Sequence, residues 1–77
     1  MYVYELVEQL EAIEMVTEVY PMYAEGYIEV TTRQMTDEEY EDLILTLYHF
    51  GAKQLVPDEY DFIEYRIGDY IIGVIEK

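Results

Sequence analysis

Leu6, Leu10 and Ile13 fall at i, i+4 and i+7 with Val3 one turn earlier, so the first 14 residues predict an amphipathic helix with one apolar stripe. On its other side Glu5, Glu8, Glu11 and Glu14 recur every third residue, a row of carboxylates rising about 4.5 Å per step. From Met15 the spacing changes. Val16, Val19 and Tyr20 are β-branched or aromatic and predict a strand over residues 15 to 20, which Pro21 is expected to stop. Pro21 to Gly26 reads as a connector, and Tyr27, Ile28, Glu29, Val30, Thr31 and Thr32 then alternate as a half-buried strand does.

The strongest local signal is Thr36, Asp37, Glu38 and Glu39, a capping box with Thr36 at the N-cap and Glu39 three residues on. The helix it starts places Tyr40, Leu43, Ile44 and Leu47 on one face, crowds acids into the first turn where the helix dipole favours them, and ends at Gly51. Lys53 to Val56 then predict a short strand, Pro57, Asp58 and Glu59 a turn, and Tyr60 to Ile67 a longer strand. Alternation in that strand sets Ile63, Tyr65 and Ile67 on one side and Phe62, Glu64 and Arg66 on the other. Gly68 and Asp69 form a two-residue hairpin loop into residues 70 to 75, the most apolar strand, expected to be central or covered by helices.

The order is roughly α-β-β-α-β-β-β, and short connections favour antiparallel neighbours. The expected fold is a single acidic α+β domain over residues 1–77, two helices packed on one face of a four- to five-stranded antiparallel sheet whose other face stays partly open. A chain of 77 residues buries only about 60 to 65% of its unfolded surface, and without cysteine no disulfide supports a thin core.

Charge changes the picture more than length does. Eighteen acidic side chains against four basic ones give a formal net charge of -14 while 52% of the chain is hydrophobic. A disordered acidic tail would lack the hydrophobes, so a folded core carries a strong negative field. Solubility alone is the plain explanation, although a small domain ordinarily carries a net charge of magnitude about 2 to 8. Halophily is a second plain explanation, and the abundance of Tyr, Ile and Leu fits it poorly. The field would be repelled by DNA, RNA and an anionic lipid leaflet, so neither direct nucleic-acid binding nor membrane association is expected. The apolar runs fall far short of the roughly 20 residues needed to span a bilayer and no basic leader precedes one, which predicts a soluble, cytoplasmic protein.

The chain has no cysteine, serine, asparagine or tryptophan, and His49 is its one histidine. Ser- and Cys-based acyl transfer lacks its nucleophile, the four separated glycines make no phosphate loop, and zinc or iron lacks its usual ligands. Carboxylates are plentiful, but a glycosidase pair needs a cleft that so small a domain rarely builds. Asp58, Glu59, Asp61 and Glu64 cluster around a turn without the spacing of a calcium loop. The expectation is a protein that is not an enzyme, with no cofactor and no built metal site.

The two predicted helices set out Glu5, Glu8, Glu11 and Glu14 on one and Asp37, Glu38, Glu41 and Asp42 on the other, opposite the predicted core. Such rows can stand in for a phosphate backbone toward the Lys and Arg of a nucleic-acid-binding protein. Asp58, Glu59, Asp61 and Glu64, with Tyr60 and Tyr65, form a second candidate patch. Ten tyrosines against two phenylalanines suit the same task, because a phenol stacks on arginine and hydrogen-bonds at once. Several of Tyr20, Tyr23, Tyr27, Tyr60, Tyr65 and Tyr70 are expected to reach the surface near acidic neighbours, against the alternative that they tile an open sheet face.

In size, charge, tyrosine content and lack of catalytic residues the chain resembles the small acidic inhibitors of phages and mobile elements, among them DNA-mimicking anti-CRISPR, anti-restriction and uracil-DNA glycosylase inhibitor proteins. The likeness spans the whole chain without a diagnostic motif. It implies a stoichiometric inhibitor that blocks the DNA-binding surface of a host defence effector, with an anti-CRISPR protein against a Cas complex as the specific expectation, acting in the host cytoplasm. Two other classes remain: an interaction module such as an antitoxin or small regulatory subunit that covers a basic partner, and a self-associating structural protein, so that monomer and homodimer both stay open. Uncompensated charges repel within a Debye length of about 8 Å at physiological ionic strength, so Tm is expected to rise as salt is raised from about 0.01 M to 0.15 M, as thermal unfolding would show.

Overall fold

Leu6, Val7 and Leu10 turn inward from α1, Val3–Glu11, in the computed structural model, which describes residues 3–54 and 62–77, with side chains at 3–54 and 64–77. The helix stops short of the expected residue 14. The Ala12 N–H donates to both Glu8 O and Gln9 O, and Ile13 and Val16 donate three residues back, so the chain leaves in tightened turns. β1, Val16–Met22, follows and pairs antiparallel with β2, Tyr27–Thr32, through a short 3₁₀ turn at Tyr23–Glu25. Pro21 does not end β1 but lies within it. β1 is an edge strand, where one side of the backbone has no ladder to complete and a proline is tolerated. The register slips between Val16 and Glu18, leaving Thr17 as the extra residue, whose hydroxyl donates to Thr31 O at 3.1 Å. Proline and bulge together discourage a further strand from adding to this edge.

The capping box closes in both directions, with Thr36 Oγ1 accepting from the Glu39 N–H at 3.2 Å and Glu39 Oε1 accepting from the Thr36 N–H at 3.0 Å. It starts α2, Asp37–His49, which ends before Gly51, whose φ of +87° suits glycine. β3 is described at Lys53–Gln54; the expected continuation to residue 56, the turn at 57 to 59 and the start of the next strand at residue 60 lie outside the described residues. β4, Phe62–Ile67, and β5, Tyr70–Glu76, form the expected hairpin around Gly68 and Asp69.

The fold is α+β, with two helices and one five-stranded sheet in the order β1-β2-β5-β4-β3. The sheet is mixed, not antiparallel throughout: β2 and β5 run parallel, Ile28 beside Ile72 and Val30 beside Val74, while the other neighbours are antiparallel. The reason is topological. The chain leaves β2 through α2, pairs at the far edge, and comes back so that its last and most apolar strand fills the gap beside β2. Parallel pairing at that place requires a crossover, and α2 supplies it.

All buried strand side chains of the core share one face: Ile28 and Val30 on β2, Ile72 and Val74 on β5, Tyr65 and Ile67 on β4. Leu6 and Leu10 of α1 and Leu43 and Leu47 of α2 join them, so both helices cover that face and the opposite one is left without a helix. On the uncovered face Tyr27 folds across Gly73. A Cβ at residue 73 would meet the Tyr27 hydroxyl and would stand 2.7 Å from its Cζ. Gly73→Ala is expected to destabilise by about 1 to 3 kcal/mol by displacing that ring. With Tyr27→Ala as background the same change is expected to be neutral or stabilising, since Gly within a strand is unfavourable; a double-mutant cycle by chemical denaturation reads the coupling.

Candidate protein-binding surface

Each helix buries one stripe and exposes the other, and the exposed stripes are acidic. Glu5, Glu8 and Glu11 stand on the outside of α1 and Glu14 just beyond it; Asp37, Glu38, Glu41 and Asp42 stand on the outside of α2. Because both helices lie on the same face of the sheet, the structure gathers these eight carboxylates into one layer. Neither helix contains a lysine or arginine. Among the described residues the one ion pair is Arg33 with Glu39, at 2.7 Å. Lys53 and Arg66 are register partners on β3 and β4, and Arg66 alternates with buried Tyr65 and Ile67, so both belong to the uncovered side of the sheet. The helix layer is therefore negative without a lysine or arginine, and two of the four basic side chains lie opposite it, beside Glu29 and Glu64 of the uncovered face.

The second expected patch is divided. Asp58, Glu59, Tyr60 and Asp61 lie outside the described residues, and Glu64 is half-buried on the uncovered sheet face, away from the helix layer. Tyr65 does not reach the surface. It is 1% exposed in the core, with its ring edge-on to Tyr48 at 6.0 Å, so it is corrected from a partner contact to a packing residue. Its alternation with Ile67 was the signal for this, and it outweighs the preference of a hydroxyl for water.

The other tyrosines divide between surface and packing. Tyr20 is well exposed, while Tyr4, Tyr23 and Tyr70 form a ring cluster with centroids at 5.1 and 6.5 Å. Partial loss of water around the Tyr23 phenol raises its pKa above 10.0, with Tyr4, Glu11 and Tyr70 adding to the effect. Tyr27 is shifted the same way by partial burial and then by Glu64 and Glu29, its neighbours on the uncovered face.

The sequence reasoning missed Leu45. It is 63% exposed on the outer side of α2, where Glu38, Glu41 and Asp42 precede it at helical spacing. A leucine continuing an acidic stripe was the available signal. Leu45 borders two shallow depressions, one of about 410 Å³ formed with Gln9, Thr46, His49 and Phe50 and a smaller one formed with Tyr40, Glu41 and Ile44. Among the described residues no group of three or more His, Asp or Glu could hold a metal ion, and no helix is long and apolar enough to cross a membrane. No protein-family profile matches the chain, and no curated protein matches it.

The start of α2 is held by a charged hub. Glu39 accepts from Arg33 Nη1 at 3.1 Å and Nη2 at 2.7 Å as well as from the Thr36 N–H, and the Arg33 hydrogen bond, followed by the backbone one, lowers its pKa from 4.5 to about 2. A pKa lowered by folding adds stability above the unfolded value and loses it as pH falls through the folded one. Glu39→Gln is therefore expected to lower Tm near neutral pH, with the difference from the unaltered protein shrinking between pH 4.5 and about 2. A difference that stays constant across that window, in thermal melts at several pH values, would show that the charge on Glu39 is not what holds the helix start.

Proposed function

We propose that the protein is a non-enzymatic binding protein whose acidic helix layer occupies the basic nucleic-acid-binding surface of a partner protein and so acts as a stoichiometric inhibitor. The observation that carries this reading is the gathering of seven exposed carboxylates on two helices that hold no lysine or arginine, with Glu14 just beyond α1 and the basic side chains Lys53 and Arg66 on the other side of the sheet. Charge in excess of what solubility needs, with eight carboxylates on one helix layer, favours fast steered association with a cationic groove. Resemblance to the small acidic phage inhibitors narrows the target class to a host defence effector, with the DNA-recognition surface of a Cas complex as the specific assignment. A second reading, self-association, is favoured by the uncovered sheet face, where Ile71, Ile75 and Tyr27 are half-buried with no helix above them.

Affinity capture from the native host's lysate at low and high salt, read by mass spectrometry, separates the two. A DNA- or RNA-binding protein released by salt or by added DNA supports inhibition; recovery of the protein's own copies alone, undiminished by salt, supports self-association. With the recovered partner in hand, reversal of Glu38, Glu41 and Asp42 to lysine is expected to weaken binding at least tenfold, about 1.4 kcal/mol, and to flatten its salt dependence. Titration of the partner with both proteins at several salt concentrations checks this.

A further inference from the structure

Leu45 interrupts an acidic surface at a place where a charge mimic would have no use for a leucine. It follows Glu41 and Asp42 by one turn of α2, and the depression it forms with Gln9 and Phe50 lies where α1 meets α2. Glu5 precedes Gln9 by one turn of α1, so carboxylates approach the depression along both helices. On the other side of Leu45, half-buried Tyr40 and Ile44 continue the apolar surface, with Glu41 at its rim. A lone exposed leucine needs no explanation, but here two depressions meet at one and acids border them.

We propose that this is the anchor point for a basic amphipathic helix of the partner protein, whose apolar side chains pack over Leu45 into the depression it forms with Tyr40 and Ile44 while its lysines and arginines face Glu5, Glu38, Glu41 and Asp42. The proposal rests on the reading of the helix layer as a binding surface for a basic partner and adds what that partner must present. Charge complementarity selects a cationic occupant. The apolar floor of the smaller depression, Leu45 with Tyr40 and Ile44, selects a helix, which delivers apolar side chains at i, i+3 and i+4 with its basic residues to either side, while the larger depression adds the polar Gln9, Thr46 and His49 beside Phe50. The two contributions differ in how salt acts on them: the carboxylates set the slope of affinity against ionic strength, and Leu45 sets a part that salt does not weaken.

The test uses two synthetic helical peptides of about 18 residues, five turns each, one with leucines along one face and Lys and Arg on the other, the second with those leucines replaced by glutamine at unchanged charge. Binding to the intact protein is followed by fluorescence anisotropy over a range of salt. The leucine peptide is expected to bind about tenfold more tightly than its charge-matched counterpart. Leu45→Ser is expected to erase that advantage without changing the salt slope, whereas Glu41→Gln with Asp42→Asn flattens the slope for both peptides. Leu45 is exposed, so its replacement is expected to leave Tm unchanged, which a thermal melt checks. Equal binding of the two peptides overturns the anchor and leaves the acidic binding surface standing. An advantage that survives Leu45→Ser overturns the placement of the anchor, and failure of both peptides to bind at low salt overturns anchor and acidic surface together.

Discussion

Ile72 and Val74, in the middle of β5, are where the structure converges. They lie between Ile28 and Val30 on one side and the β4 side chains on the other, and the leucines of both helices close over the same cluster. Each such buried side chain contributes about 1.5 to 3 kcal/mol, and with no disulfide present these few aliphatics are the main support of the fold. Their partners come from the two ends of the chain. β2 lies some forty residues before β5, so the central ladder is a long-range pairing whose loop-closure entropy the ladder must offset. Two contacts tie the return in place: the Ile71 N–H donates to Gly26 O, and Glu76 accepts from the Met35 N–H at 2.8 Å, joining the last strand to the start of the crossover.

A core covered on one side only determines where the charge can go. The helices must turn their apolar stripes to the sheet, and with so many acids in the chain their outer stripes become acidic together. Repulsion within that layer opposes the compact state, and the apolar core offsets it. Binding and stability are then coupled. On the proposed function, a cationic partner that relieves the repulsion would bind the folded form and stabilise it by mass action, while removing carboxylates to steady the free protein would weaken the surface proposed to attract that partner. Carboxylates unpaired in the free protein are what such a trade leaves in view.

How much of this was legible depends on whether the signal was local. Thr36 with Glu39 located the start of α2, and Gly68 with Asp69 located the last hairpin, because capping and tight turns are written in a few adjacent residues. Periodicity alone put Glu5, Glu8 and Glu11 on the exposed side of α1 and Asp37, Glu38, Glu41 and Asp42 on that of α2, while Glu14 falls beyond the end of α1. What periodicity does not carry is the partner of a strand: nothing within residues 27 to 32 says that their neighbour is the last strand, running parallel. Pro21 misled for a related reason, since a proline that would break a central strand is harmless at an edge, and edge position is a property of the assembled sheet. Tyr65 shows two local signals in conflict. Its hydroxyl argued for the surface, its alternation with Ile67 argued for the core, and packing decided.

An acidic layer by itself attracts any cationic groove, because Coulomb attraction falls off slowly with distance and is indifferent to shape. Discrimination between one basic partner and another comes from contacts that work at short range, where a misplaced methyl or an unfilled depression is felt directly. A domain of this size has little surface to divide between the two tasks, and in the proposed binding mode the helix layer would do so along a single stripe: Glu38, Glu41 and Asp42 acting at a distance, and Leu45, one turn further, acting only on contact. Steering and selection would then be read out by the same helix. On that proposal the leucine would gain its selectivity from being the apolar exception within a field that has already brought the partner close.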